Sequence, residues 1–341
     1  MGMKMKSEIF LADYETPRMV DLAPNFYAAQ FRLMKLLPAR YMLDRAEESG
    51  ALQPGGQIVE TSSGTFAMAL AMLSAVRGYG LTVVSATSLM DDSFKGRLEQ
   101  LGASVRLVED ENRTGNQDGR LAELQHVLDS KPGALWPRQY DNPDNPAAYS
   151  RLAEIIVEKV GRVDCLVGCV GSGGSLSGAA RYLRSLFSEM RVVAVDTNNS
   201  VLFGHKAGPR LLRGLGNSIM PNNLDHALID DVHWVGALQA FAVTRDLYRR
   251  RAMFVGPTSG AAALVGDWYA RTHLNETVVA IMPDKGYRYQ STVYSDDWLS
   301  SQSGWPVEIK AEPVELSEIA PAGEDDWTYM QWSRRIYLTH P

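Results

Sequence analysis

The chain has 341 residues, 45% hydrophobic and 22% charged, an ordinary composition for one large or two medium folded domains with a sizeable core. A formal net charge of -6 gives no general drive toward nucleic acid or an anionic membrane surface. No run of about 18 or more apolar residues occurs, so no membrane-spanning helix is expected.

The opening stretch, MGMKMKSEIFLADYETP, has two lysines with no apolar run behind them, and no secretory signal is expected there. Lys6 stands where a myristoylation signal starting at Gly2 requires Ser or Thr. Cys165 and Cys169 are the two cysteines. Four apart on a strand they would lie about 13 Å from each other, too far for a disulfide. They read as buried small hydrophobes in a reducing compartment, the cytoplasm being the simplest choice.

In chain order, GQIVE (56–60) reads as a strand and 65–80 as a helix closed by glycines. LTVVSAT (81–87) is a strand, 92–103 a helix containing Gly102 near its end, and 104–110 another strand. The helix 119–130 leads to a predicted strand, GALWPRQY (133–140). DNPDNP at 141–146 is a turn-forming cluster and a candidate domain crossing. A helix (147–161), the strand VDCLVGCV (163–170), the loop GSGGS (171–175), a helix (176–190) and the strand RVVAVD (191–196) follow. A long helix (237–252), the segment 256–270 and the strand TVVAIMPD (277–284) complete the pattern. Continuously apolar strands alternating with helices argue for parallel sheets covered on both faces. No repeat of solenoid length is present. From about residue 301 the chain turns acidic and Pro-containing, then carries two tryptophans and an arginine pair. This reads as an appendage, packed on the body or on a second subunit, or serving a regulatory or partner-binding role.

Gly171-Ser172-Gly173-Gly174-Ser175 sits between a buried strand and a helix. Glycines allow close backbone approach, the helix-start amides carry the positive end of the dipole, and two serines add hydroxyls. The loop suits a phosphate monoester. A dinucleotide fingerprint would need glycine where Leu176 stands, although Asp196 ends the next strand at a suitable distance. No Lys-Ser/Thr pair follows, so the Walker pattern is absent. A plain Gly-rich turn also fits, and the loop alone does not decide.

Separated segments together resemble the cysteine synthase and cystathionine β-synthase family, which has the tryptophan synthase β-subunit-like fold. GSGGSLSG resembles the family's GTGGTxxG, and RQYDNPDNPAAY its QFxNPxNPxxHY. AEESGALQPGGQIVETSSGTFAMALA resembles AExxGxLxPGxTIVEPTSGNTGxxLA, GPTSGAAA resembles GISSGAAxA, and MPDKGYRYQST resembles PDSGERYLST. The ordered match runs over roughly residues 14 to 295. It implies an α/β fold of two domains, each with a mainly parallel sheet flanked by helices. The expected domains are a smaller, mobile, substrate-gripping one at 36–148 and a larger, cofactor-phosphate-binding one at 1–35 plus 149–300. Residues 301–341 form a C-terminal extension.

The resemblance also implies pyridoxal 5′-phosphate as cofactor and assigns residues. Counting back from AEESG places Lys35 at the Schiff-base lysine, though AQFRLMKLL replaces the family's NPTGSVKDR around it. A surface lysine on an amphipathic helix is the alternative, and Lys95 the competing amine. Gly171, Ser172, Gly173, Gly174 and Ser175 take the cofactor phosphate. Thr258 takes the place of the hydroxyl that meets the pyridine nitrogen, which suits elimination at the β-carbon over transamination; a helix N-cap is its other reading. Ser62, Ser63, Gly64 and Thr65 correspond to the loop that grips the substrate α-carboxylate. Thr65 replaces the asparagine that reaches the cofactor's 3′-oxygen, with different reach and angle. Gln139 matches the glutamine that assists this grip. Gly214 and Gly216 line the site, and Arg213 stands where phosphoserine-using relatives carry arginine, with Arg210 as fallback.

The expected activity is β-replacement on O-phospho-L-serine or O-acetyl-L-serine by sulfide, thiosulfate or a thiol, through an aminoacrylate. The alternatives are a lyase (cysteine desulfhydrase or serine dehydratase) and a non-catalytic, cofactor-binding sensor. A cytoplasmic homodimer acting on small molecules is expected, without nucleic acid, membrane or metal.

Overall fold

The computed structural model describes residues 8–111, 115–212 and 214–336. In chain order the strands are β1 (Arg18–Ala23), β2 (Phe26–Gln30), β3 (Gln57–Thr61), β4 (Gly80–Ala86), β5 (Ala103–Val108), β6 (Cys165–Cys169), β7 (Arg191–Asp196), β8 (Asp231–Val235), β9 (Val278–Met282), β10 (Val314–Glu315) and β11 (Trp327–Gln331). The chain divides into two compact units, one of residues 8–16 and 33–148, the other of 17–32 and 149–336. Residues 8–16 and 33–35 thus belong with 36–148, and residues from 301 onward with the larger unit.

In the smaller unit β3, β4 and β5 lie side by side in that order, all parallel. Strand side chains alternate between the two faces of a sheet. Ile58, Leu81 and Val83 accordingly enter one apolar cluster with α1 (Leu36–Glu48) and α2 (Thr65–Arg77). Val59 and Val84 enter another, with Leu124 and Val127 of α3 (Gln117–Ser130). Helices therefore cover both faces, as continuously apolar strands require. Helix α2 ends where Gly78 takes the left-handed conformation, φ +75°, the usual glycine stop.

The predicted strand at 133–140 does not form. Leu135 alone pairs with β3, its amide donating to Gln57 and its carbonyl accepting from Val59. Pro137 has no amide to extend the ladder, and Arg138 turns the chain with φ +58°.

The larger unit carries one sheet in the order β1-β2-β9-β6-β7-β8-β11-β10. The inner strands β2, β9, β6, β7 and β8 are parallel, while β1 is antiparallel to β2 and β11 antiparallel to β8. The late segment read as an appendage therefore extends this sheet. Trp327 and Trp332 are fully buried, and the Trp327 indole donates to His233 Nδ1 at 3.1 Å. Cys165 and Cys169 are free. Among the described residues no helix is long and apolar enough to cross a membrane, and no group of His, Cys, Asp and Glu is arranged to hold a metal ion.

Candidate active site

In doubly wound parallel sheets ligands bind beyond the carboxyl ends of the strands. In the smaller unit β3 runs straight into Ser62-Ser63-Gly64, and α2 starts at Thr65. Gly64 is the N-cap in extended conformation and no side chain caps the helix. The first-turn amides, with their partial positive charge, are thus available to an anion. The Gly64 amide donates to Ser62 Oγ at 3.4 Å. Ser62 is buried, while Ser63, Gly64 and Thr65 are half-buried. The loop can receive a carboxylate.

Gln139 is buried in the same unit. Its carbonyl accepts from Asn145 Nδ2, and Asn142 Nδ2 donates to the Pro137 carbonyl at 3.0 Å. The two asparagines of DNPDNP therefore hold the turn that presents Gln139. On the other side of that turn lies Glu60, 1% exposed. Its Oε1 accepts from the Thr61 amide at 2.8 Å and the Trp136 indole at 3.3 Å, and its Oε2 accepts from the Gln139 amide at 3.4 Å. Burial raises its carboxyl to about 7 despite these donors.

Arg120, in the first turn of α3, is also buried. Its Nε donates to the Gly115 carbonyl at 2.8 Å and its Nη1 to Thr61 Oγ1 at 3.2 Å, while Nη2 reaches Gln117. These partners are neutral oxygens. Burial lowers its pKa, and nearby Tyr140, Asp110 and Glu60 oppose that through space. A buried cation so placed can neutralise an anionic group close to the Ser62–Thr65 loop.

Lys35 is the N-cap of α1, where its carbonyl accepts from Ala39. Burial pushes its amine down to about 8, so a neutral, nucleophilic form is accessible near neutral pH. Lys95 instead pairs with Glu99 at 2.7 Å, one helical turn away, an arrangement that holds an ammonium. Of these two amines, Lys35 is the desolvated one and Lys95 is held in an ion pair.

In the larger unit β6 leads through Val170 into Gly171-Ser172-Gly173, and α4 (Gly174–Leu186) follows. Gly173 is the N-cap with φ +79°, and a Cβ there would lie 2.5 Å from the Leu224 amide nitrogen. Only glycine fits, and no side chain caps the helix. The helix therefore offers its own amides, with Ser172 and Ser175 buried alongside. Amides and hydroxyls in this arrangement can receive an anion such as a phosphate monoester. Asn217 Nδ2 donates to the Gly171 carbonyl at 3.1 Å, and the Gly216 amide to Val170 at 2.8 Å.

Thr258 is buried in the first turn of α5 (Pro257–Thr272), whose N-cap, Gly256, makes no side-chain cap. The N-cap reading of Thr258 is thereby replaced by a position just inside the helix. A Cβ on Gly214 would sit 3.7 Å from Thr258 Oγ1, and one on Gly171 3.7 Å from the Gly214 carbonyl. The phosphate-type loop, Gly214 and Thr258 thus converge. Cys169, at the end of β6, reinforces this by donating Sγ to the Thr258 carbonyl at 3.2 Å. Asp196 is fully buried with its carboxyl raised to about 7 by desolvation; it is not presented to a ribose. Arg210 donates to the Asn199 carbonyl and to Ser218 Oγ, which commits it to holding its own loop. Arg213 lies outside the described residues.

The residues present fit pyridoxal phosphate in both units taken separately: an uncapped glycine cradle and a buried hydroxyl in one, a desolvated amine and an anion-receiving loop in the other. Glu60 and Arg120 escape sequence reasoning. A glutamate inside the apolar run IVET was the only hint for Glu60, and nothing marked Arg120 among the polar residues of its helix.

A family model described as pyridoxal-phosphate dependent enzyme matches residues 33–284. The N-(2-amino-2-carboxyethyl)-L-glutamate synthase of Ralstonia nicotianae is 38% identical over 267 residues, 77% of this chain and 79% of that protein. A putative cysteine synthase of Sinorhizobium fredii is 32% identical over 279 residues, 79% of this chain and 82% of that protein. Among solved structures, the cysteine synthase of Entamoeba histolytica superposes with a TM-score of 0.77 at 26% identity, over 83% of this chain and 89% of that one. The chain belongs to the pyridoxal-phosphate dependent enzyme family and is an enzyme of the cysteine synthase type.

Proposed function

We propose that the enzyme replaces the β-substituent of O-phospho-L-serine by the α-amine of an amino acid of the L-glutamate class. The observation that carries the donor is Arg120, a buried guanidinium hydrogen-bonded to Thr61, immediately before the Ser62–Thr65 loop. A phosphate ester on a serine held by that loop would be a dianion that such a guanidinium favours, whereas an acetyl ester carries no charge. The acceptor is suggested by the Ralstonia relative, whose product name describes a glutamate nitrogen bearing a 2-amino-2-carboxyethyl group.

In this reading Ser62 to Thr65 and Gln139 bind the donor's α-carboxylate, and Lys35 holds the cofactor aldehyde and moves the α-proton. Gly171 to Ser175 would hold the cofactor phosphate, and the Thr258 hydroxyl would serve its ring nitrogen. Pyridoxal phosphate, when bound, supplies the electron sink that lets the α-proton and then the β-substituent depart. Arg120 neutralises the leaving phosphate, and the incoming amine loses one proton as its bond to the β-carbon forms. The free cysteines support a reducing, cytoplasmic setting, and a homodimer is the expected assembly.

A second reading keeps the same donor chemistry with a sulfur nucleophile, favoured by the Sinorhizobium relative and the Entamoeba structure. Holoenzyme with O-phospho-L-serine is incubated with L-glutamate, sulfide, thiosulfate or no nucleophile, and products are read by mass spectrometry. An N-linked conjugate with glutamate supports the first reading. Cysteine or S-sulfocysteine as the sole product establishes the second. Pyruvate under every condition overturns both in favour of a lyase.

A further inference from the structure

We propose that Glu60 is a positioning residue whose carboxylate ties the Ser62–Thr65 loop and the Gln139 turn into one surface for the substrate's carboxylate. The inference rests on the reading of those two segments as the substrate grip.

Arg138 has φ +58°, a left-handed conformation that non-glycine residues adopt only when the surroundings enforce it. Nothing in its side chain explains the enforcement: Arg138 is exposed, with its guanidinium 5.7 Å from the Trp136 ring centroid. The enforcement comes from the backbone. The amides of Arg138 and Gln139 both point to the Glu60 carboxylate. Successive amides around a left-handed residue form a concavity that accepts an anion, and here a side chain of the protein fills it. The same carboxylate accepts from the Thr61 amide at 2.8 Å and the Trp136 indole at 3.3 Å. One fully buried group therefore fixes the residue that precedes the serine loop and the residue that presents Gln139.

Only the ionised form can accept all of these donors, since a protonated oxygen becomes a donor itself. The charged group that feels the Glu60 carboxylate is Arg120 from α3, which also feels Tyr140 and Asp110. Binding of the donor's carboxylate consequently depends on Glu60 being ionised, although Glu60 touches no substrate.

The test uses holoenzyme variants Glu60→Gln, Arg138→Gly and the pair, with KM for the donor, kcat and the cofactor absorption band measured from pH 6 to pH 9. Wild type is expected to lose donor affinity as pH falls through about 7. Glu60→Gln is expected to raise KM about ten- to a hundredfold, as for loss of hydrogen bonds to a charged group, to remove that pH dependence and to leave the band intact. Glycine holds a positive φ unaided, so Arg138→Gly should restore most of the lost affinity in the pair. A Glu60→Gln enzyme with wild-type KM and pH profile, or a loss that Arg138→Gly does not reduce, overturns the proposal. If Glu60→Gln does not fold, Arg138→Gly alone decides: a flattened pH dependence of KM supports the role and an unchanged one refutes it. Ser63→Ala and Gln139→Ala separate the two levels. If neither moves donor KM, the grip itself is misplaced; if they do and Glu60→Gln does not, only the role of Glu60 fails.

Discussion

Arg120 Nη1 donates to the hydroxyl of Thr61 at 3.2 Å, at a position where the resembled family motif IVEPTSGNTG has proline. Proline there could offer no hydroxyl, so the side chain that orients this buried guanidinium is specific to the present pattern. The expected consequence is donor selectivity. Arg120→Gln should raise KM for O-phospho-L-serine about ten- to a hundredfold, the usual range for a lost charge-assisted hydrogen bond, with a much smaller effect on O-acetyl-L-serine. Arg120→Lys should recover only part, because a point charge lacks the planar fork. Equal losses with both donors would show that Arg120 serves the fold and not the phosphate.

Lys35 and Lys95 make a second contrast. Burial lowers the Lys35 amine to about 8, whereas Lys95 is engaged by Glu99. Lys35→Ala should abolish the visible band of a lysine-bound cofactor and slow turnover by about a thousandfold or more, as for a lost proton-transfer group. Lys95→Ala should retain the band and turnover. A Lys35→Ala enzyme with normal spectrum and rate would remove the assignment.

Much of this arrangement was legible in the sequence because it depends on local rules. Apolar strands followed by glycine-rich turns and helices announce parallel sheets, and the glycines of the Gly171–Ser175 loop mark a tight strand-to-helix turn that composition alone does not assign to a ligand. What stayed hidden depends on partners far apart in sequence. β11 is recognisable only once β8 stands beside it, and WTYMQ reads equally well as a tail. GALWPRQY has the residues of a strand, yet Pro137 and the Glu60 carboxylate turn it into a loop. Glu60 and Arg120 show no pattern because their meaning lies in burial, which periodicity does not report for single polar residues.

The closing strand leads to a third expectation. Trp327 is fully buried against the larger unit's core, and its indole proton goes to His233 Nδ1. Burial holds that histidine neutral, its pKa pushed down to about 3. Trp327→Ala should destabilise the protein by about 3–5 kcal/mol, the range for removal of a large buried aromatic. Trp327→Phe keeps most of the apolar volume and should cost less. Denaturant midpoints of the two variants check this, and a loss below about 1 kcal/mol for alanine would mean that β11 is dispensable to the sheet.

Two buried carboxyls, Glu60 and Asp196, should make the protein less stable as pH rises. Burial raises Glu60 to about 7 from 4.5 and Asp196 to about 7 from 3.8. The folded chain then binds more protons than the unfolded chain between those values. Their contribution to stability is complete below about 4 and is lost as pH climbs through about 7. Glu60→Gln places a neutral group of the same size in the strand. It should therefore match wild type near pH 5 and exceed it near pH 8, measured by urea midpoint. Donor affinity is expected to move the other way, because only ionised Glu60 gathers the amides of Thr61, Arg138 and Gln139. A variant that is more stable at pH 8 but binds donor less well would establish that the buried charge is kept for function at a cost to the fold. Parallel stability curves for the variant and wild type would show that Glu60 binds its proton equally well in the folded and unfolded chains.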